Sequence, residues 1–164
     1  MSTEQGLIFA CTLNRNGASQ SLTWDEVNKW SSQQGPLWVH LDRVGTDSQQ
    51  WLREKSGLST IVADALLEEE TRPRIMVLDD SLFLSLRGVN LNPGAEPDDM
   101  ISIRLYIDAN RVVTVRHRLL MTIQDMRSSI TANNGPRNPG EFLTVLVDRL
   151  MERMAPVVHQ LDEE

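Results

Sequence analysis

Met100-Ile101-Ser102-Ile103-Arg104-Leu105-Tyr106-Ile107, the turn Asp108-Ala109-Asn110 and Arg111-Val112-Val113-Thr114-Val115-Arg116 read as two strands joined by a tight connection. Their side chains alternate with a period of two, so Ile101, Ile103, Leu105 and Ile107 share one face while Ser102, Arg104 and Tyr106 share the other. Moving upstream, Asn90 to Asp99 form a polar loop, and Ile75–Leu78, Asp79-Asp80-Ser81 and Leu82–Val89 read as a hairpin. Further strands are predicted at Leu37–Asp42, where Leu37, Val39 and Leu41 share a face, and at Leu7–Leu13, followed by a turn at Asn14-Arg15-Asn16-Gly17. Helices interleave. Thr23 and Glu26 have capping-box spacing, Thr46 and Gln49 offer a second box for a helix through Lys55, and Ser59 or Thr60 caps a third. Residues 119–132 read as a fourth. Helices on either side of the strand block in sequence imply a mixed sheet covered on both faces, an α/β three-layer αβα sandwich.

The last element is the most regular. Leu143, Val147, Leu150, Met154, Val157 and Leu161 recur at heptad spacing, predicting one narrow apolar stripe on a helix of about 24 residues, roughly 36 Å long. Pro156 interrupts it. No stop signal precedes Asp162-Glu163-Glu164, so the helix reads as cut rather than finished. The chain accordingly divides into an αβα domain, 1–138, and the beginning of a longer helix, 139–164.

The 164 residues correspond to a single domain, large enough to bury roughly 68–70% of its unfolded surface without metal or disulfide. Sixteen basic against 23 acidic residues give a net charge of −7, which argues against nucleic acid and for cations or basic surfaces as partners. One cysteine, Cys11, excludes an internal disulfide and a cysteine-rich zinc site; it reads as a small buried hydrophobe. Without a long apolar run or a signal sequence, the expectation is a soluble, cytosol-facing chain.

No phosphate-binding glycine loop and no nucleophile elbow occur, and His40, His117 and His159 fall in three separate elements, so no enzyme is expected. Two acidic sets carry more chemistry. Asp64 and Glu68 to Glu70 crowd the end of the third helix, and His159, Asp162 and Glu163 share one face of the last. Divalent cations want several oxygens, or imidazole with carboxylate, so Asp64, Glu68, His159 and Asp162 are candidate metal ligands; the other reading is a solvated acidic face. Neither set completes a site alone, which calls for a second chain or more of the last helix. Arg87, Arg104 and Arg116 each sit within a strand, and if their faces coincide they form an anion-binding patch, or they pair with carboxylates such as Asp79 and Asp98. That patch defines an alternative function, a free-standing anion-binding or adaptor module.

The run Ala63-Asp64-Ala65-Leu66-Leu67, then Thr71-Arg72-Pro73-Arg74-Ile75 and Asp79-Asp80-Ser81-Leu82-Phe83-Leu84, resembles the cytosolic amino-terminal domain of CorA-type divalent-cation transporters. Arg87-Gly88-Val89-Asn90, the run from Pro97 to Asp108 and Val112 to Arg118 resemble its zinc-transporting ZntB branch. The resemblance implies an αβα funnel domain on the cytoplasmic face of the bacterial inner membrane, assembled as a homopentamer about an axial ion path. It implies no required cofactor, with zinc or another divalent cation as transported or regulatory ion, and contact with the membrane only through a later segment bearing a Gly-x-Asn signature. It also implies an acidic residue before the Arg-Pro step that binds regulatory cations between subunits, to which Asp64 is the nearest match, its stalk partner lying beyond Glu164.

Overall fold

The computed structural model describes residues 6–13, 21–69, 72–96 and 99–162. Six strands form one sheet: β1 (Leu7–Thr12), β2 (Leu37–Asp42), β3 (Arg74–Val77), β4 (Leu82–Gly88), β5 (Ile101–Ile107) and β6 (Arg111–Arg116). Their order is β1-β2-β6-β5-β4-β3. Only β2 and β6 run parallel; every other neighbouring pair is antiparallel. The chain therefore crosses from β2 to the far edge and returns through a four-strand meander that closes against β2. A crossover of that length needs helices to cover it.

Those helices are α2 (Thr46–Gln50, continuing into a wider π-helical turn at Trp51–Lys55) and α3 (Thr60–Leu67). With α1 (Trp24–Lys29) they cover the face carrying Leu37, Val39, Leu41, Phe83, Tyr106, Val113 and Val115. On the opposite face α4 (Met121–Thr131) and α5 (Pro139–Asp162) cover Trp38, Leu84, Val112 and the aliphatic row Ile101, Ile103, Leu105 and Ile107. The three predicted layers are present, and the alternation read from β5 separates the two cores. Cys11 is fully buried.

Local signals account for most helix starts. Thr23 and Glu26 make the reciprocal capping box of α1, and the Ser59 hydroxyl accepts from Val62 N at the start of α3. Thr46 behaves differently: Gly45 is the cap and Thr46 the first helical residue. The end of β2 fixes that entry, because Asp42 Oδ1 accepts from Val44 N while Arg43 N donates to Arg116 O. The turn expected at 14–17, together with Glu70, Asp98 and Glu163, lies outside the described residues.

The last helix corrects the heptad reading. Its core side is Phe142, Leu146 and Leu150, anchored by the Phe142 ring 4.8 Å from Trp38. Of the predicted stripe only Leu150 is buried; Leu143, Met154 and Val157 are half-buried, Val147 is exposed, and the side chain of Leu161 is not described. An i, i+4 spacing suits a straight helix lying on a sheet, and it rotates the heptad positions toward the flank. Past Leu150 no described side chain of α5 is buried, and Met151 and Val158 are open at 63% and 46%. One polar clamp holds this departing stretch: Arg153 donates twice to Asp125 of α4, at 2.5 and 2.6 Å.

Candidate functional site

Burial of Val62, Ala63, Ala65 and Leu66 turns the other side of α3 outward and leaves Asp64 exposed. Its carboxylate is held 2.7 Å from Arg53 of the π-helical turn. The helix ends where Glu68 adopts an extended backbone, ψ 139°, and the Glu68 carboxylate lies 3.5 Å from Arg74. Two arginines collect carbonyls at this helix end and just beyond it. Arg43 Nε donates to the Leu67 and Glu68 oxygens at 2.9 and 3.1 Å, and Arg104 reaches those of Leu66 and Glu69 at 3.4 Å. Cations at a helix C-terminus also complement its dipole. This arginine cap was missed from the sequence, where Arg43 reads only as a residue following a strand.

His159 and Asp162 are exposed near the end of α5. That helix packs on the face of the sheet opposite α3, so the four candidate ligands fall into two pairs carried by different layers. Among the described residues no three His, Cys, Asp or Glu side chains gather into a metal-holding group. Both Asp64 and Glu68 are engaged by arginines.

The arginine patch is divided, which corrects the expectation of a shared face. The register pairs Arg87 with Ser102 and Ser85 with Arg104 on the α3 side, but pairs Arg116 with Ile103 on the α5 side. Arg104 is 3% exposed; burial, then the neighbouring Arg43, holds its pKa below the ordinary arginine value, with Glu68 acting in the opposite sense. Arg116 lies 3.9 Å from Asp42. Arg87 is exposed. The three side chains cannot converge on a single ligand, and Arg104 is committed to helix carbonyls.

His40 is the polar centre of the α5-side core. It is 1% exposed, with Nδ1 2.7 Å from Thr114 Oγ1, which also accepts from Trp38 Nε1 at 2.9 Å. Burial, reinforced by Arg116 and Arg127, lowers its pKa to about 3, so the ring is neutral and structural. His117 is exposed.

The described residues thus form a layered αβα module with a long helix that continues past its core. Residues 33–164 match the family described as CorA-like Mg2+ transporter protein, and the chain belongs to that family, one of transporters and not of enzymes. It is 38% identical over 163 residues to the divalent cation transporter CmaX of Pseudomonas aeruginosa, covering 98% of this chain and 49% of that protein. It is 31% identical over 157 residues to the zinc transport protein ZntB of Yersinia enterocolitica, covering 96% of this chain and 47% of that one. The structure of full-length CmaX superposes with a TM-score of 0.92 at 38% identity, covering 99% of this chain and 50% of that chain. The cytoplasmic domain of ZntB from Vibrio parahaemolyticus shares the fold, with a TM-score of 0.82 at 24% identity over 97% of this chain and 63% of that one. The chain thus spans about half the length of the relatives it matches. Among its described residues no helix is long and apolar enough to cross a membrane.

Proposed function

We propose that this chain is the cytoplasmic part of a divalent-cation transporter, zinc being the leading cargo, and that it acts as ion funnel and cation sensor at the inner face of a bacterial inner membrane. The observation carrying this reading is α5: it leaves the core after Leu150 and continues to Asp162 with Met151 and Val158 uncovered. A lone helix does not keep such a flank in water at no cost; copies of itself packed around an axis would cover it. Residues 139–164 are then the start of a stalk and 1–138 the funnel wall, five copies enclosing the ion path. The net charge of −7 concentrates cations at its mouth.

In this arrangement the divided ligands gain a purpose. Asp64 and Glu68 of one subunit would face acidic residues of a neighbour or of the continuing stalk, so that a cation replaces Arg53 and Arg74 as their partner and ties subunits together. Calorimetric titration of the chain with zinc and magnesium should give weak binding that is lost when Asp64, Glu68, His159 and Asp162 are all replaced by amides or alanine. Unchanged binding in that variant rejects the ligand assignment. The transport reading is tested separately, by zinc uptake into vesicles carrying the natural full-length protein; a reading frame that encodes no apolar pair of spans with a Gly-x-Asn loop would sink it.

A further inference from the structure

The two faces of the sheet are covered unequally. Six strands at a spacing of about 4.8 Å span roughly 24 Å, whereas each packed helix occupies about 8–10 Å of width, so a full layer takes three helices. The α3 side has α1, α2 and α3. On the other side the described residues supply two. Arg127 of α4 lies 4.4 Å over the Phe9 ring of β1, and α5 passes from Trp38 of β2 to β4, where Leu150 lies against Gly88. The slot left over is above β3, the edge strand beyond β4.

The side chains of β3 carry the difference. On the α3 side Met76 is half-buried against the core, and Arg74 lies 5.3 Å over the Phe83 ring. Ile75 and Val77 pair with Leu84 and Leu82 and so face the α5 side, where they are 64% and 76% exposed. Val77 forms one wall of a valley of about 590 Å³ whose opposite wall is Leu143 of α5, with Leu82 and Ile107 between them. Ile75, about 6.6 Å further along β3, and Val147, about 6 Å further along α5, extend both walls in step toward the Leu150–Gly88 contact. Asp79 and Asp80 stand exposed at the mouth, and no basic side chain belongs to the lining.

Two aliphatic rows in step fit the apolar stripe of a helix laid beside α5, which completes the layer. A small ligand would leave most of both rows in water. A second copy in two-fold contact through the same surface would bring two aspartate rims together, which like charges oppose. A helix of the same polypeptide avoids that repulsion and closes at high effective concentration. The relatives have chain to spare for it, since this one spans 49% and 47% of their length.

We propose that the valley between β3 and α5 seats a third helix of the same polypeptide, drawn from the residues that follow Glu164 in the natural protein. The inference rests on the reading of this chain as part of a longer transporter, and adds that the polypeptide, having left along α5, returns to its own sheet. The test places Val77→Cys in the 164-residue chain and in the natural full-length protein, and times labelling by a polar maleimide. Cys11 is fully buried, and the unaltered proteins give the blank. Val77 lies on the surface, so the fold survives the change. Labelling at least about tenfold slower in the full-length protein than in the short chain is expected. The slow rate should be the same in monomeric and oligomeric fractions, and the fast one independent of the short chain's concentration. Equal rates in a full-length protein that transports zinc overturn this inference and leave the transport reading standing. Protection lost in the monomeric fraction, or growing with the concentration of the short chain, assigns the valley to a second copy and also overturns it. A natural reading frame that stops near residue 164 removes the transport reading and this inference together.

Discussion

Lowering the pH should destabilise this domain through one buried ring, His40. In the folded chain its pKa is about 3, whereas an unfolded histidine titrates near 6.5. The native ring is therefore neutral across the whole interval in which the unfolded ring takes up a proton. Below pH 6.5 the unfolded state binds the extra proton, so stability contributed by the neutral ring is fully present above that value. It is lost progressively as the pH falls toward 3. Each pH unit of that interval is worth about 1.36 kcal/mol, so two units, from 6.5 to 4.5, remove about 2.7 kcal/mol. Carboxylates add their own acid dependence, which a variant must subtract. His40→Gln keeps a hydrogen-bonding group beside Thr114 but cannot titrate. Urea unfolding at pH 7.0, 5.5 and 4.5 should show the unaltered chain ahead of the variant at neutral pH, with the gap closing by about 2–3 kcal/mol at the acid end. Parallel pH profiles, or a ring that titrates near neutrality by NMR while the chain is folded, would refute the reasoning.

Three other outcomes follow from the same geometry. The Arg153–Asp125 clamp is bidentate and three-quarters buried on its carboxylate side, so a double-mutant cycle should return about 1–2 kcal/mol of coupling, above the value for an exposed pair; coupling near zero means the helices are not joined there. Leu146→Ala should cost about 2–5 kcal/mol in urea unfolding because its side chain is fully buried, and a loss below about 1 kcal/mol would contradict the assignment of the core face. Met151→Ser should leave unfolding within about 0.5 kcal/mol yet weaken self-association in sedimentation velocity if the open flank of α5 is a contact between copies. Unaltered sedimentation of a chain that does associate would remove Met151 from that contact.

What the sequence made legible was whatever depends on near neighbours. The aliphatic row of β5 and the caps at Thr23 and Ser59 involve residues a few positions apart, and they were readable because their geometry is set within one element. The resemblance to CorA-type transporters, carried by ordered short motifs, gave the family. The burial side of α5 was not legible, because heptad and i, i+4 readings of the same apolar residues differ by a modest rotation. The choice between them is made by Trp38, about a hundred positions away, receiving the Phe142 ring.

The arginine patch shows the same limit at the scale of one residue. The turn at Asp108, whose Oδ1 accepts from both Asn110 N and Arg111 N, pairs Ile107 with Val112 and hence Ile103 with Arg116. A slip by one position would set Arg116 opposite Arg104, on one face, and the predicted anion patch would exist. The side chain of Asp108 thus decides between an anion site and two structural arginines. Its other oxygen accepts from Tyr106 at 3.0 Å and is 3.4 Å from Arg111 Nε, so the turn is held on both sides. Freed from the patch, Arg104 caps α3, the helix that carries Asp64 and leads to Glu68. The residue that reads as a ligand site in one register is, in the other, what positions the candidate cation site.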